Sequence, residues 1–252
     1  MRILATYNIK GGVGKTSTAV NLAALAAREG QRVLLWDLDP QGAATFLFRI
    51  KAKVKGGGKR LVSGRTDVDT LIKGTDHDGL DLLPADFSYR HMDLFLDDAK
   101  KPDQRLSRVL RPLEDDYDLI FLDCPPSISL VSENVFRASD ALLVPLIPTT
   151  LSLRTLEQLE RFLEHHDLGH LEVLPFFSMV DRRKSLHRET VATLHDSHPE
   201  VLGTQIPSAT EVERMGVHRQ VVHELAPGSR IAHAYEELWA EVQDRLGPPD
   251  GG

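Results

Sequence analysis

One cysteine in 252 residues leaves Cys124 without a partner for a disulfide in its own chain, and it excludes a multi-cysteine metal site there. A fold that needs no disulfide suits a reducing cytoplasm. No apolar run approaches the ~20 residues of a membrane helix. The opening MRILATYNIKGG lacks the long apolar core of a signal peptide, so a cytoplasmic protein with no membrane partner is expected. Positive charge is also in deficit: 30 Lys and Arg against 37 Asp and Glu give a net charge of -7. That balance excludes a nucleic-acid binder held by the charge of the whole molecule, so any DNA contact must come from local basic patches. Neither an internal repeat nor a clear linker is present, and one domain over residues 1–252 is expected. The closing Gly247-Pro248-Pro249-Asp250-Gly251-Gly252 reads as a frayed tail.

What is present is apolar and alternating in kind. The chain is 41% hydrophobic, and at this length a fold removes roughly three-quarters of its unfolded surface from water. Continuous apolar runs at Ile3 to Tyr7, Arg32 to Leu38, Leu119 to Leu122, Ala141 to Ile147 and Val173 to Val180 suit strands covered on both faces, and Leu80 to Leu83 is a shorter candidate. Between them, helical patterns run over Thr16 to Glu29, Leu153 to His165 and Ile231 to Leu246, and Gly30 falls where a helix C′ residue should. The alternation predicts an α/β fold: a doubly wound, mostly parallel sheet flanked by helices. The segment Arg49 to Arg65 holds Lys51, Lys53, Lys55, Lys59, Arg60 and Arg65 with no acidic residue. It reads as a mobile basic loop, either simply solvated or touching a polyanion.

The first run leads into Lys10-Gly11-Gly12-Val13-Gly14-Lys15-Thr16-Ser17, and a helix follows at once. Strand, glycine loop and helix is the context in which such a motif binds nucleotide phosphates. Gly11, Gly12 and Gly14 allow backbone angles and a close approach that a Cβ would forbid, so successive N–H groups can surround an anion. The helix adds its free N–H groups and positive dipole end. Lys15 adds a mobile charge, and the Thr16 hydroxyl is placed to ligate Mg²⁺. At the ends of two later runs stand Asp37-Leu38-Asp39-Pro40-Gln41-Gly42 and Asp123-Cys124-Pro125-Pro126. The ends of strands are where doubly wound sheets bind ligands, and an acid after four apolar residues suits a carboxylate acting on Mg²⁺ through water. Cys124 reads as a small buried hydrophobe rather than a nucleophile.

Position 9 is isoleucine where the common phosphate-loop pattern has glycine, and a second lysine, Lys10, opens the loop. Together with Asp37-Leu38-Asp39-Pro40-Gln41, this resembles the deviant Walker A motif of the ParA and MinD family of P-loop ATPases, and the resemblance covers almost the whole chain. It implies ATP and Mg²⁺ as cofactors and slow ATP hydrolysis in a homodimer. Lys10 of each copy would reach the other's phosphates, a charge-assisted contact worth roughly 1.5–3 kcal/mol. It implies Asp37 behind the Mg²⁺ shell, Asp39 positioning the attacking water, Asp123 holding Mg²⁺ through water, and Pro207 of Gln205-Ile206-Pro207-Ser208 beside adenine.

Within that family the last helix carries Glu236, Glu237, Glu241 and Asp244, unlike a basic membrane-binding helix. One cysteine cannot serve the iron–sulfur branch. The tyrosines are scattered rather than gathered in a tail, and a first strand at residue 3 leaves no room for an N-terminal helix-turn-helix. The ParA subgroup remains, which the resemblance describes as positioning a chromosome, plasmid or protein microcompartment. Its members bind nucleoid DNA non-specifically as ATP dimers, released by a separately encoded adaptor that stimulates hydrolysis. Arg230 matches a DNA-contacting position, whereas Ser208 stands where relatives often carry arginine; Arg182, Arg183, Lys184 and Arg188 form a substitute patch or a solvated helix start. The alternative is an amidoligase of the cobyrinate or dethiobiotin type.

Overall fold

A computed structural model of the chain describes residues 1–99, 101–169 and 171–247, so the tail expected at 247–252 lies outside the described residues from position 248 onward. Eight strands, β1 (Arg2–Thr6), β2 (Val33–Asp37), β3 (Lys73–Gly74), β4 (Leu80–Leu83), β5 (Leu119–Asp123), β6 (Ala141–Leu146), β7 (Glu172–Val180) and β8 (Gln205–Pro207), form one sheet in the order β3-β4-β2-β5-β1-β6-β7-β8. Only β3 runs antiparallel to its neighbour. The doubly wound sheet expected from the apolar runs is therefore the fold observed.

Side chains alternate between the two faces, and both faces are apolar. Leu34 and Trp36 of β2, Ile120 and Leu122 of β5, and Leu142 and Val144 of β6 enter one core. Val33 and Leu35, Leu119 and Phe121, and Ala141 and Leu143 enter the other. This is why the strands read as unbroken apolar runs. Each fully buried large side chain adds roughly 1.5–3 kcal/mol.

The first core is covered by α3 (Gly57–Val62), α4 (Met92–Asp97), α5 (Arg105–Leu110), α6 (Leu130–Ala138), α7 (Thr150–His165) and α8 (Ser185–Ser197). The second is covered by α1 (Lys15–Arg28), α2 (Ala43–Leu47), α9 (Thr210–His218), α10 (Val222–Leu225) and α11 (Arg230–Leu246). Every residue of α1 from Thr18 to Ala27 is buried, because the helix lies between the sheet and α11. Its run of alanines permits that close approach. The helix ends as expected: Gly30 has φ +92°, its N–H donates to Ala27 O, and the Gln31 N–H donates to Ala26 O. These two bonds make a Schellman cap. No helix among the described residues is long and apolar enough to cross a membrane.

Two expectations need correction. The basic segment at 49–65 is not an irregular loop; it contains α3, and Val54, Leu61 and Val62 are buried in the first core. Gly58 packs so tightly that a Cβ there would meet the Tyr89 ring at 2.9 Å, and its N–H donates to Ser88 Oγ at 2.8 Å. Three apolar anchors outweigh the charge count. Strands β3 and β8 are also new, since strands of two and three residues carry no readable period.

A buried asparagine fixes α5 against α6. Asn134 is fully buried, and its Oδ1 accepts from the N–H groups of Arg105 (2.7 Å) and Leu106 (3.2 Å). Its Nδ2 donates to Pro102 O (2.7 Å) and Leu130 O (2.8 Å). The side chain thereby caps the first turn of α5. Asn134→Leu would leave those N–H groups buried without an acceptor, so we expect a loss of about 2–4 kcal/mol in urea unfolding. A loss below roughly 0.5 kcal/mol would show that the network does not hold α5.

Candidate phosphate and cation site

The loop between β1 and α1 lies at the end of the sheet where the strands finish. Gly12 and Gly14 have φ of +69° and +97°, and Gly14 is the N-cap of α1 with no side-chain cap and no acid in the first turn. A 14-residue helix thus offers its first N–H groups and positive dipole end to an anion. A Cβ on Gly14 would meet Ser178 Oγ at 2.8 Å, so both space and backbone angle require glycine. The loop is braced from below, as Asn8 Nδ2 donates to Pro145 O and Asn8 Oδ1 accepts from the Lys10 N–H, each at 2.9 Å.

Lys15 is 7% exposed and its ammonium donates to Lys10 O at 2.8 Å, which holds the charge over the crown of the loop. Burial lowers its pKa, opposed by the charges of Asp123 and Asp39. Val13 is buried beneath the loop, whereas Gly11 and Gly12 are exposed and Lys10, Thr16 and Ser17 are half-buried. The Lys10 side chain has no ion pair among the described residues.

Parallel pairing brings the acids together. Asp37 of β2 and Asp123 of β5 are register partners, and Asp123 is also paired with Thr6 of β1. Both carboxyls are fully buried. Burial pushes each pKa up; at Asp123 the charge of Asp37 adds to the rise, while the Thr16 hydroxyl works against it. Their hydrogen bonding differs. Asp37 Oδ2 accepts from Thr45 N (2.8 Å) and Thr45 Oγ1 (2.7 Å), and its Oδ1 accepts from Asp39 N (3.2 Å). Asp123 Oδ2 has no hydrogen-bond partner among the described residues. A buried, unpartnered carboxylate oxygen beside a threonine hydroxyl is a hard-oxygen donor set that fits Mg²⁺. Asp39 is half-buried, and its Oδ1 accepts from Gln41 N at 2.9 Å while Gly42 N closes the turn on Asp39 O.

Pro207 is also brought to the loop. A cleft of about 270 Å³ runs from Gly12, Gly14 and Ser17 to Pro207, Met179 and Tyr235. Met179 has φ +56° and is 41% exposed at the end of β7. Cys124 is buried, and burial raises its thiol pKa, in keeping with an inert role. The basic residues of the second half are more dispersed. Arg183 pairs with Asp181 at 3.0 Å, and Arg188 donates to Arg182 O at 2.6 Å. Arg182 and Lys184 are exposed at the start of α8, in the first layer; Arg230 opens α11, in the second.

Thr45, Ser178, Met179 and Tyr235 were not singled out from sequence. Thr45 follows Asp37 by eight residues, a spacing with no meaning until α2 folds back over β2. Its Oγ1 also accepts from Ala85 N at 2.9 Å, so one hydroxyl ties α2, β2 and the segment after β4. Thr45→Val should raise amide exchange over residues 38–46 and lower the unfolding temperature, with Thr45→Ser restoring both. Unchanged exchange in the valine variant would mean that the hydroxyl does not hold this turn.

The protein-family profile AAA_31, described as an AAA domain, matches residues 1–169. The sporulation initiation inhibitor protein Soj of Bacillus subtilis is 35% identical over 249 residues, covering 96% of this chain and 98% of Soj. The chromosome partitioning protein ParA of Caulobacter vibrioides is 35% identical over 196 residues, 75% of this chain and 73% of ParA. Among solved structures, cobyrinic acid a,c-diamide synthase of Mycobacterium smegmatis, with bound ADP and magnesium, superimposes with a TM-score of 0.80 at 28% identity, covering 98% of this chain and 95% of that one. On these matches, the chain belongs to the ParA/MinD family of P-loop ATPases.

Proposed function

We propose that this protein binds ATP with Mg²⁺, pairs with a second copy around the nucleotide, and uses slow hydrolysis to time its hold on non-specific DNA, so positioning a chromosome, plasmid or protein cargo. The observation that carries the reading is the uncapped start of α1 behind Gly12 and Gly14, with Lys15 above it and the unpartnered Asp123 Oδ2 beside it. The N–H groups of residues 14–17 and the Lys15 ammonium bind and orient the phosphates. Thr16 and Asp123 would hold the cation, with Asp37 behind them. When bound, Mg²⁺ neutralises charge on the β- and γ-phosphate oxygens. Asp39, on a turn open to solvent, positions the attacking water. Pro207 would border the adenine.

Lys10 is the residue through which two copies depend on each other. Its backbone is fixed at both ends, by Asn8 and by Lys15, while the half-buried residue has no ion pair among the described residues. In the ATP-bound pair it reaches the partner's phosphates. Arg182, Arg183, Lys184, Arg188 and Arg230 would contact DNA in the same state, with Arg183 discounted for its pairing with Asp181. A separately encoded adaptor would accelerate hydrolysis, and the nucleoid-bound and free states in the cytoplasm would alternate with nucleotide state. Partition is favoured by the identity to Soj and ParA, higher than that to the synthase.

The synthase likeness, at 28% over almost the whole chain, keeps an amidoligase as the second reading. Lys15→Ala should abolish ATP binding, and tight binding in that variant would refute the phosphate site. Asp39→Ala should keep nucleotide binding and pairing yet stop turnover; hydrolysis at the wild-type rate would remove its role. Filter retention of random DNA should require ATP and fall when Arg182 and Arg230 become Glu. ATP consumption in proportion to a glutamine-dependent product, with no retention, would favour the amidoligase.

A further inference from the structure

The basic residues left over by this reading gather on another surface. Two adjoining clefts, of about 350 and 410 Å³, open on the outer side of α5. The smaller is edged by Arg65, Arg105 and Arg108, the larger by Arg108, Arg111 and Arg137, so Arg108 is common to both. Arg65, Arg108 and Arg111 are exposed, and no hydrogen bond or ion pair engages their guanidinium groups among the described residues. The other two are tied: Arg105 Nε donates to Val62 O at 2.8 Å, and Arg137 pairs with Asp103 at 3.0 Å. In a molecule of net charge -7, this is a concentrated cationic face.

Its position separates it from the nucleotide and from Arg230. Arg111 leads into the start of β5, and Arg137, in the last turn of α6, leads into the start of β6. The clefts therefore lie toward the end of the sheet where strands begin, whereas the phosphate loop lies where they finish. Helix α5 belongs to the first layer and α11 to the second.

We propose that this arginine-edged face docks an acidic segment of a protein partner, in which carboxylates alternate with apolar side chains. Guanidinium groups match carboxylates in charge and shape, and the chain's own Asp103 already pairs with Arg137 through one Nε–Oδ2 contact at 3.0 Å. Burial lowers the pKa of Arg105, and the nearby Arg108 charge adds to the fall. A phosphate backbone fits less well. The smaller cleft has an apolar floor of buried Leu61, Val62, Val68 and Val109, with exposed Pro112 and Asp67 also lining it. Apolar side chains of a peptide can meet that floor, whereas a phosphate backbone has no apolar group to offer it. The segment Arg49 to Arg65, whose charge had no assignment in the sequence, thus supplies one edge of the site through Arg65.

The test uses the full chain with ATP and Mg²⁺ and three labelled probes followed by fluorescence anisotropy: a peptide of alternating Glu and Val, the same peptide with Gln for Glu, and random double-stranded DNA. The Glu peptide should bind, the Gln peptide should not, and Arg65→Glu with Arg108→Glu and Arg111→Glu should weaken the Glu peptide about tenfold or more. Arg214→Glu, on α9 in the other layer, should leave it unchanged, and the triple variant should retain DNA as the wild type does. Arg108→Gln with Arg111→Gln gives a milder variant, expected to show a smaller loss in the same direction should the triple variant fold poorly by circular dichroism. Absence of Glu-peptide binding, equal binding by both variants, or loss of DNA retention alongside peptide binding would overturn the proposal, the last by making the face a nucleic-acid surface.

Discussion

Parallel pairing of β2, β5 and β1 is the constraint from which the site follows. It sets Asp37, Asp123 and Thr6 in one row at the strand ends, under the start of α1. Two buried carboxyls side by side are costly, since burial raises the pKa of both, the charge of Asp37 adds to the rise at Asp123, and neither reaches water. The fold settles the two differently. Thr45 and the Asp39 N–H satisfy Asp37, while Asp123 keeps an oxygen without a partner beside the Thr16 hydroxyl. One acid thereby organises the backbone, and the other is the one we propose to receive a cation.

The same arrangement links the site to the rest of the molecule. Asp37 holds the first turn of α2 through Thr45, and α2 is gripped at its far end, where the Arg219 guanidinium stacks 4.0 Å from the Phe46 ring centroid. Just beyond it, Arg49 donates to His218 O and pairs with Asp76. A turn carrying Asp39 is thus continuous, through one short helix, with the end of α9. On the opposite layer, Asn134 fixes α5 and with it the arginine-edged clefts. The two layers present different chemistry on a molecule whose overall charge is acidic.

The placement of the glycine loop before α1, and of Asp37, Asp39 and Asp123 at the strand ends, was legible in the sequence because each depends on local order: a strand, then a short motif, then a turn or helix. Gly30 was legible for the same reason. Thr45, Ser178 and Tyr235 were not, since they reach the site from distant segments that only sheet order brings close. The basic stretch at 49–65 misled because its charges outnumber Val54, Leu61 and Val62, although burial of those three decides its shape. Arg182, Arg183 and Lys184 looked like a run of three free charges, yet Asp181 already pairs with Arg183. Sequence spacing does not reveal such a bond two residues away.

The central claim is that one cradle of backbone N–H groups and one free carboxylate oxygen receive a triphosphate with its cation. A crystal structure with a non-hydrolysable ATP analogue and Mg²⁺ tests it most directly. The account predicts phosphate oxygens within hydrogen-bond distance of the N–H groups of Gly14, Lys15 and Thr16, Mg²⁺ on the Thr16 hydroxyl with its water shell facing Asp123 Oδ2, and Lys10 of a second copy on the phosphates. Nucleotide bound elsewhere, or a cation site formed without Asp123, would contradict it.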